Sequence, residues 1–287
     1  MKPRNLKTKI FLDGGDSQET RKIIEILGFL DGQTTNPTLV SKNPEAQAKL
    51  ARGEKFSSEE IYGFYREVIE KIAVLVPEGS VSIEVYADQS TKMDEMFSWG
   101  KEMFSWIPNA HIKFPITQEG LGAAEKAVKE GMRVNLTLCF SQEQAAAVYA
   151  ATMGAKKGQV FISPFVGRLD DKGENGMDLI KNIIEMYGQG DGHVEVLTAS
   201  VRNLDHFSYA LRLGSDIVTA PSKILKEWVE KSMFLPDNNF VYDAGKFKPI
   251  SYQAIGLNKK WREYDFYHEL TDDGIRKFSE DWNRLIK

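Results

Sequence analysis

The chain has 287 residues, enough to bury a large core as one barrel-sized domain or two smaller ones. Its 37 basic and 41 acidic residues leave a net charge of −4, which excludes a broad electrostatic attraction to nucleic acid or to an anionic membrane, so any phosphate has to be met by a few placed cations. The single Cys139 excludes an intrachain disulfide and a cysteine-cluster metal site and fits a reducing, cytoplasmic setting; residues 1–8 are polar and basic, and no apolar run approaches the roughly 20 residues that cross a bilayer.

In chain order, short β-rich runs are predicted at residues 9–13, 32–36, 81–86, 111–116, 133–139, 160–166, 195–201 and 216–221. Helical patterns separate them. The first reads from an N-cap at Ser17 to a stop at Gly28, and residues 37–79 hold two patterns, 45–51 and 58–76, where one would suffice. Further on, the helix at 119–130 stops at Gly131, the next runs from an N-cap at Ser141 to Gly154, and that at 204–213 stops at Gly214. Residues 224–233 read as the helix after the eighth run, and 272–286 as a final amphipathic helix. Between them residues 235–258 are irregular, and their aromatics Phe240, Tyr242, Phe247 and Tyr252 read as packing on the core rather than as a binding face. Eight strands alternating with helices predict an α/β protein, a single-domain (β/α)8 TIM barrel with extra helices in its N-terminal half and a C-terminal extension over 235–287. An open doubly wound sheet fits less well, because Asp13-Gly14-Gly15-Asp16 is not a dinucleotide fingerprint.

Chemistry in such a barrel sits at the C-terminal ends of the strands, where inward side chains reach a common cavity. Along His111-Ile112-Lys113-Phe114-Pro115-Ile116, Ile112, Phe114 and Ile116 share one face and Lys113 points the other way. A lysine held inside and partly neutral is an amine nucleophile suited to a Schiff base; the alternative is a side chain that snorkels outward from the strand end. Glu84 has the same placement in its own run. Asn135 and Thr137 share one face of the fifth run, and Ser163 and Phe165 one face of the sixth. Ser200 shares a parity with Arg202 as the seventh ends, Asp13 closes the first run, and Asn36 the second ahead of Pro37. Any one such polar residue can be a structural hydrogen-bond partner, yet six strand ends converging on one lysine supply an amine, carboxylates for proton transfer, groups to orient hydroxyls, and arginines. His111, His193, His206 and His268 are scattered and read as structural or surface residues, and no metal or organic cofactor is expected.

Phe11-Leu12-Asp13-Gly14-Gly15-Asp16, Thr34-Thr35-Asn36-Pro37-Thr38-Leu39, Ile112-Lys113-Phe114-Pro115 with Glu119-Gly120-Leu121, Asn135-Leu136-Thr137-Leu138 with Phe140-Ser141, Ser163-Pro164-Phe165-Val166-Gly167-Arg168 and Ala199-Ser200-Val201-Arg202-Asn203 resemble the motifs of the transaldolase family, in the family's order. Gly274-Ile275-Arg276-Lys277-Phe278 resembles its last helix. The resemblance implies a class I aldolase barrel in which Lys113 forms the Schiff base and Asp13 is the acid/base for carbon–carbon cleavage. It further implies that Glu84 and Thr137 hold a water, that Asn36 and Asn135 position substrate hydroxyls, and that Arg168, Ser200 and Arg202 bind a phosphate. Ser163 and Phe165 are expected to complete the substrate pocket. Gly14 stands where the family commonly has threonine and Val201 where it commonly has phenylalanine, differences that bear on how the pocket fits its sugar.

The implied reaction moves a dihydroxyacetone unit from sedoheptulose 7-phosphate or fructose 6-phosphate to glyceraldehyde 3-phosphate or erythrose 4-phosphate, as in the pentose phosphate pathway. A second reading is a lyase resembling fructose-6-phosphate aldolase; those enzymes typically carry glutamine at the position of Glu84 and tyrosine at that of Phe165, so both residues favour transfer. A third is a non-catalytic sugar-phosphate-binding protein, for which Lys113, Asp13, Glu84 and Thr137 together would be superfluous. The partners expected are sugar phosphates, with neither nucleic acid nor membrane, and a homo-oligomer is compatible with a barrel enzyme.

Overall fold

The computed structural model describes residues 2–237 and 239–287; Met1, in the polar opening stretch, and Asn238, in the irregular segment, lie outside the described residues. Eight parallel strands close in chain order into one barrel: β1 (Lys9–Asp13), β2 (Gly32–Thr34), β3 (Ser80–Glu84), β4 (Ala110–Pro115), β5 (Val134–Cys139), β6 (Val160–Pro164), β7 (Val194–Thr198) and β8 (Ile217–Ala220). β1 pairs with both β2 and β8, which closes the ring. The helices are α1 (Ser17–Leu27), α2 (Pro37–Ser41), α3 (Pro44–Ala51), α4 (Ser58–Leu75), α5 (Met93–Phe104), α6 (Gln118–Lys129), α7 (Gln142–Ala151), α8 (Val166–Asp171), α9 (Gly176–Tyr187), α10 (Leu204–Leu213), α11 (Ser222–Glu230) and α12 (Glu269–Asn283). This is the (β/α)8 TIM barrel that the alternation of periods predicts. Among the described residues no helix is long and apolar enough to cross a membrane.

Local chemistry explains the element ends. Ser57 and Glu60 form a reciprocal capping box that starts α4, and α10 runs from the Asn203 cap to Gly214, whose φ of 74° is the left-handed conformation glycine adopts freely. Both faces of β4 are buried. Its outward Ile112 and Phe114 lie under α5, which approaches closely because Gly100 carries no side chain: a Cβ there would stand 2.8 Å from the Phe114 ring. Inside, the N-terminal end of the barrel is filled by Phe161 stacked on His111 at 3.9 Å, by Phe11 against Phe161, and by the Lys9–Glu195 ion pair at 3.0 Å. The cavity therefore opens toward the C-terminal strand ends.

Several boundaries differ from the sequence reading. Asp16, not Ser17, caps α1, its carboxylate accepting from Gln18 N–H. The insertion after β2 holds three helices rather than two. Asn36 leaves the strand to cap α2, accepting from Leu39 N–H at 2.9 Å, so β2 stops at Thr34. β6 stops at Pro164 because Phe165 turns into the short helix α8, and β7 stops at Thr198. α7 ends at Ala151, before Gly154.

The C-terminal extension wraps the barrel rather than forming a core of its own. Lys248 hydrogen-bonds Gly173 and Asn175, Gln253 is bonded both ways by Gln142, and Asn182 donates to the Ile250 carbonyl. Tyr242 stacks on Tyr209 at 4.8 Å, with Phe240 beyond, and Tyr242 and Tyr252 pack against the core, whereas Phe240 and Phe247 are not among its packing residues. α12 then crosses the mouth of the barrel, burying Leu270, Ile275, Phe278 and Trp282, each contributing about 1.5–3 kcal/mol of hydrophobic stabilisation.

Candidate active site

Lys113 sits on the inner face of β4 with its side chain 3% exposed, which excludes the snorkelling alternative. Its register partners are Glu84 on β3 and Asn135 on β5. Lys113 Nζ donates to the Thr35 carbonyl at 2.9 Å and lies 2.8 Å from Glu84 Oε2. Burial pushes the Glu84 carboxyl above the usual carboxylate range, although Lys113 and, more weakly, Arg168 oppose the shift. Asp13, half-buried at the end of β1, is raised by the same loss of water, opposed by Lys113 and by the Thr34 hydroxyl that donates to it at 2.7 Å. Two carboxyls that bind protons more readily than usual therefore flank one amine.

The cleft above Lys113 has a volume of about 310 Å³. Asp13, Asn36, Lys113, Ser163, Phe165, Arg168, Ser200 and Arg202 line it. Glu84, Asn135 and Thr137 lie outside that lining, behind it. Asn135 is bonded within the barrel, donating to Ser82 Oγ at 3.1 Å and accepting from Ser163 Oγ at 2.7 Å. Its amide orders Ser163, which lines the cleft. Thr137 Oγ1 is buried with no hydrogen-bond partner, and Glu84 Oε2 has the Lys113 ammonium beside it and no other donor. A buried hydroxyl left open beside such a pair is the kind of group a bound water or substrate atom completes.

Arginines hold the rim. The Arg168 guanidinium lies over the Phe165 ring at 5.7 Å and the Phe278 ring at 5.4 Å, and burial lowers its pKa. Arg202, half exposed, is paired with Asp171 at 3.0 Å. Its side chain crosses Gly167 so closely that a Cβ there would stand 2.2 Å from Arg202 Nε. Ser200 has φ 57° and Leu138 φ 60°, left-handed positions that cost non-glycine residues about 1–3 kcal/mol each and cluster at functional sites. Leu138 is held by Thr271, which donates to its carbonyl at 2.9 Å, and by Gly274, where a Cβ would meet its side chain at 2.6 Å.

Some contributors were not singled out from sequence. Thr34 and Thr219 form a hydroxyl chain to Asp13; their inward parity was a usable signal. Tyr65 of α4 accepts from Glu84 N–H at 3.0 Å, and nothing local marks it. His206 joins the arginine elements, with Nε2 2.9 Å from Asp170 of α8 and Nδ1 accepting weakly from Arg202 N–H at 3.4 Å. His111, His193 and His268 are structural: the first is buried between Ser80 and Gly158, the second between Asp191 and Thr152, and the third caps α12. Among the described residues no three His, Cys, Asp or Glu side chains converge as metal ligands would.

The family model described as Transaldolase/Fructose-6-phosphate aldolase matches residues 10–287. The chain belongs to this family. It is 34% identical to a probable transaldolase of Dehalococcoides mccartyi, over 97% of this chain and all of that one, and 40% identical to a probable transaldolase of Brucella ovis over 96% of each. A probable transaldolase of Paracoccus denitrificans is 32% identical, again over 96% of each chain. Membership supports an enzyme of the aldolase and transaldolase type, built on the barrel described above.

Proposed function

We propose that the protein is a transaldolase that transfers a dihydroxyacetone unit between sugar phosphates through a Schiff base on Lys113. The observation that carries this reading is a buried lysine amine at the floor of the cleft, 2.8 Å from a carboxyl and below two rim arginines. Glu84 is within reach of the lysine proton, and its burial makes it a better acceptor than an ordinary carboxylate. The neutral amine attacks the ketose carbonyl carbon. The carbinolamine loses water, aided by Glu84 and Thr137, to give an iminium.

Asp13 then takes the proton of the hydroxyl two carbons from the iminium carbon. The carbon–carbon bond between breaks, its electron pair forms the enamine, and an aldose phosphate leaves. The enamine carbon attacks the aldehyde of the acceptor, whose oxygen takes the proton back, and hydrolysis of the new iminium frees the product. Arg168, Ser200 and Arg202 hold the phosphate, for which the guanidinium fork is suited, and Asn36 and Ser163 orient hydroxyls. Sedoheptulose 7-phosphate or fructose 6-phosphate as donor, and glyceraldehyde 3-phosphate or erythrose 4-phosphate as acceptor, fit this arrangement. The glutamate at position 84 and the apolar Phe165 favour transfer over release of free dihydroxyacetone.

Borohydride reduction in the presence of fructose 6-phosphate tests the reading. A three-carbon adduct on Lys113 is expected. Label on another lysine, or full activity in Lys113→Met, refutes it.

A further inference from the structure

Beside Glu84, under α12, lies a second cavity of about 10 Å³, roughly the space that one water centre needs. Glu84 and Pro115 line it from the barrel, and Ile275, Phe278 and Ser279 from α12. Among the described residues Phe278 is the one that lines both this cavity and the substrate cleft. Phe278 is 6% exposed and so stands packed between them. The Glu84 carboxyl, held from the barrel side by Lys113, lines the cavity, so a water there would meet a carboxyl group on one side and the apolar ring of Phe278 on the other.

We propose that Phe278 is a specificity-determining residue that favours transfer over release, by keeping the water-sized cavity beside Glu84 apart from the reacting fragment. The inference rests on the Schiff-base reading above. Release begins when a proton adds to the enamine carbon and restores the iminium. Water then adds to the iminium carbon and loses a proton. The carbon–nitrogen bond breaks with its electron pair returning to Lys113 nitrogen, which is protonated, so enamine plus water gives ketone plus amine. Transfer instead joins the enamine carbon to an aldehyde carbon. Because the last hydrolysis is common to both routes, the branch point is the first proton. That proton needs an acid and a relay. Glu84 is an acid at hand, and burial lets it hold a proton more readily than usual. The ring of Phe278 occupies the place where a relaying water would join the cavity to the cleft.

The same ring also faces Arg168, so the two roles have to be separated by substitution. In the full-length enzyme, with fructose 6-phosphate supplied with and without erythrose 4-phosphate, free dihydroxyacetone and transfer product are both quantified. Phe278→Ala opens the partition and is expected to raise the ratio of release to transfer by about tenfold, equal to about 1.4 kcal/mol in one barrier. Phe278→Leu keeps apolar bulk but loses the ring over Arg168, so KM for the phosphorylated donor rises while the ratio stays low. Ile275→Val enlarges the cavity and leaves the partition, so the ratio stays at the wild-type value. If Phe278→Ala does not fold, Phe278→Val carries the test with a smaller rise. A folded Ala or Val variant that is still trapped by borohydride at Lys113 but keeps the wild-type ratio overturns the inference. Absence of trapping at Lys113 in the wild type overturns the Schiff-base reading instead.

Discussion

Replacing Lys113 by methionine should make stability fall with rising pH more steeply than in the wild type, where burial already raises Glu84 and Lys113 opposes the shift. The substitution removes the cation 2.8 Å from Glu84 Oε2 and leaves that carboxyl, 4% exposed, with Arg168 as its remaining favourable charge. Glu84 must then fold either as an unpaired buried anion or as the neutral acid. From an unfolded value near 4.5, protonation at pH 7 costs about 1.4 kcal/mol per pH unit, which gives a ceiling of about 3.4 kcal/mol, in line with the cost of breaking a buried pair. The sign follows from the raised folded-state pKa: stability is whole below about pH 4.5 and is lost as pH rises toward the elevated value. Urea unfolding of wild type and Lys113→Met at pH 5 and pH 7 should show a gap that widens with pH, by at most about 2.7 kcal/mol over that interval. Adding Glu84→Gln should abolish the widening, because an amide has no proton to gain. A gap that is the same at both pH values, or one that survives in the double variant, would refute the coupling of these two side chains.

Arg168→Ala and Arg202→Ala should each raise KM for phosphorylated donors by removing on the order of 1.5–3 kcal/mol of charge-assisted binding, with little effect on unphosphorylated dihydroxyacetone; equal losses for both substrates would make the arginines structural. Gly167→Ala should reproduce the Arg202→Ala phenotype, since its Cβ would stand 2.2 Å from Arg202 Nε and 2.4 Å from the Ser200 carbonyl, and unchanged kinetics would show that this crossing does not fix the arginine. Phe165→Tyr should raise release of free dihydroxyacetone relative to transfer, each tenfold needing about 1.4 kcal/mol in one barrier, and a wild type that already releases as fast as it transfers would replace the transferase reading by the lyase one. Asp13 acts as a base only when ionised, so the acid limb of kcat/KM should fall above the ordinary aspartate range, activity being lost as pH drops through the raised value; a limb at the ordinary value would detach it from Asp13.

Alternation of β-rich runs with helical periods determined the barrel, and side-chain parity determined that Lys113, Glu84 and Thr137 point inward, because both patterns are local consequences of backbone geometry. The family motifs brought the same residues forward by resemblance. Parity failed where the chain leaves the strand: Asn36 and Phe165 belong to helix starts, and Ser200 stands at a positive φ, so an alternation read through residues 32–36, 160–166 and 195–201 ran past the real strand ends. What only the tertiary structure decided are contacts between segments far apart in the chain. Asn135 spends its amide on Ser82 and Ser163, Tyr65 props the Glu84 backbone from α4, and α12 brings Phe278 against Arg168 across 110 residues of sequence. No local pattern encodes such meetings, because they depend on how the crossovers and the C-terminal wrap close over the barrel mouth.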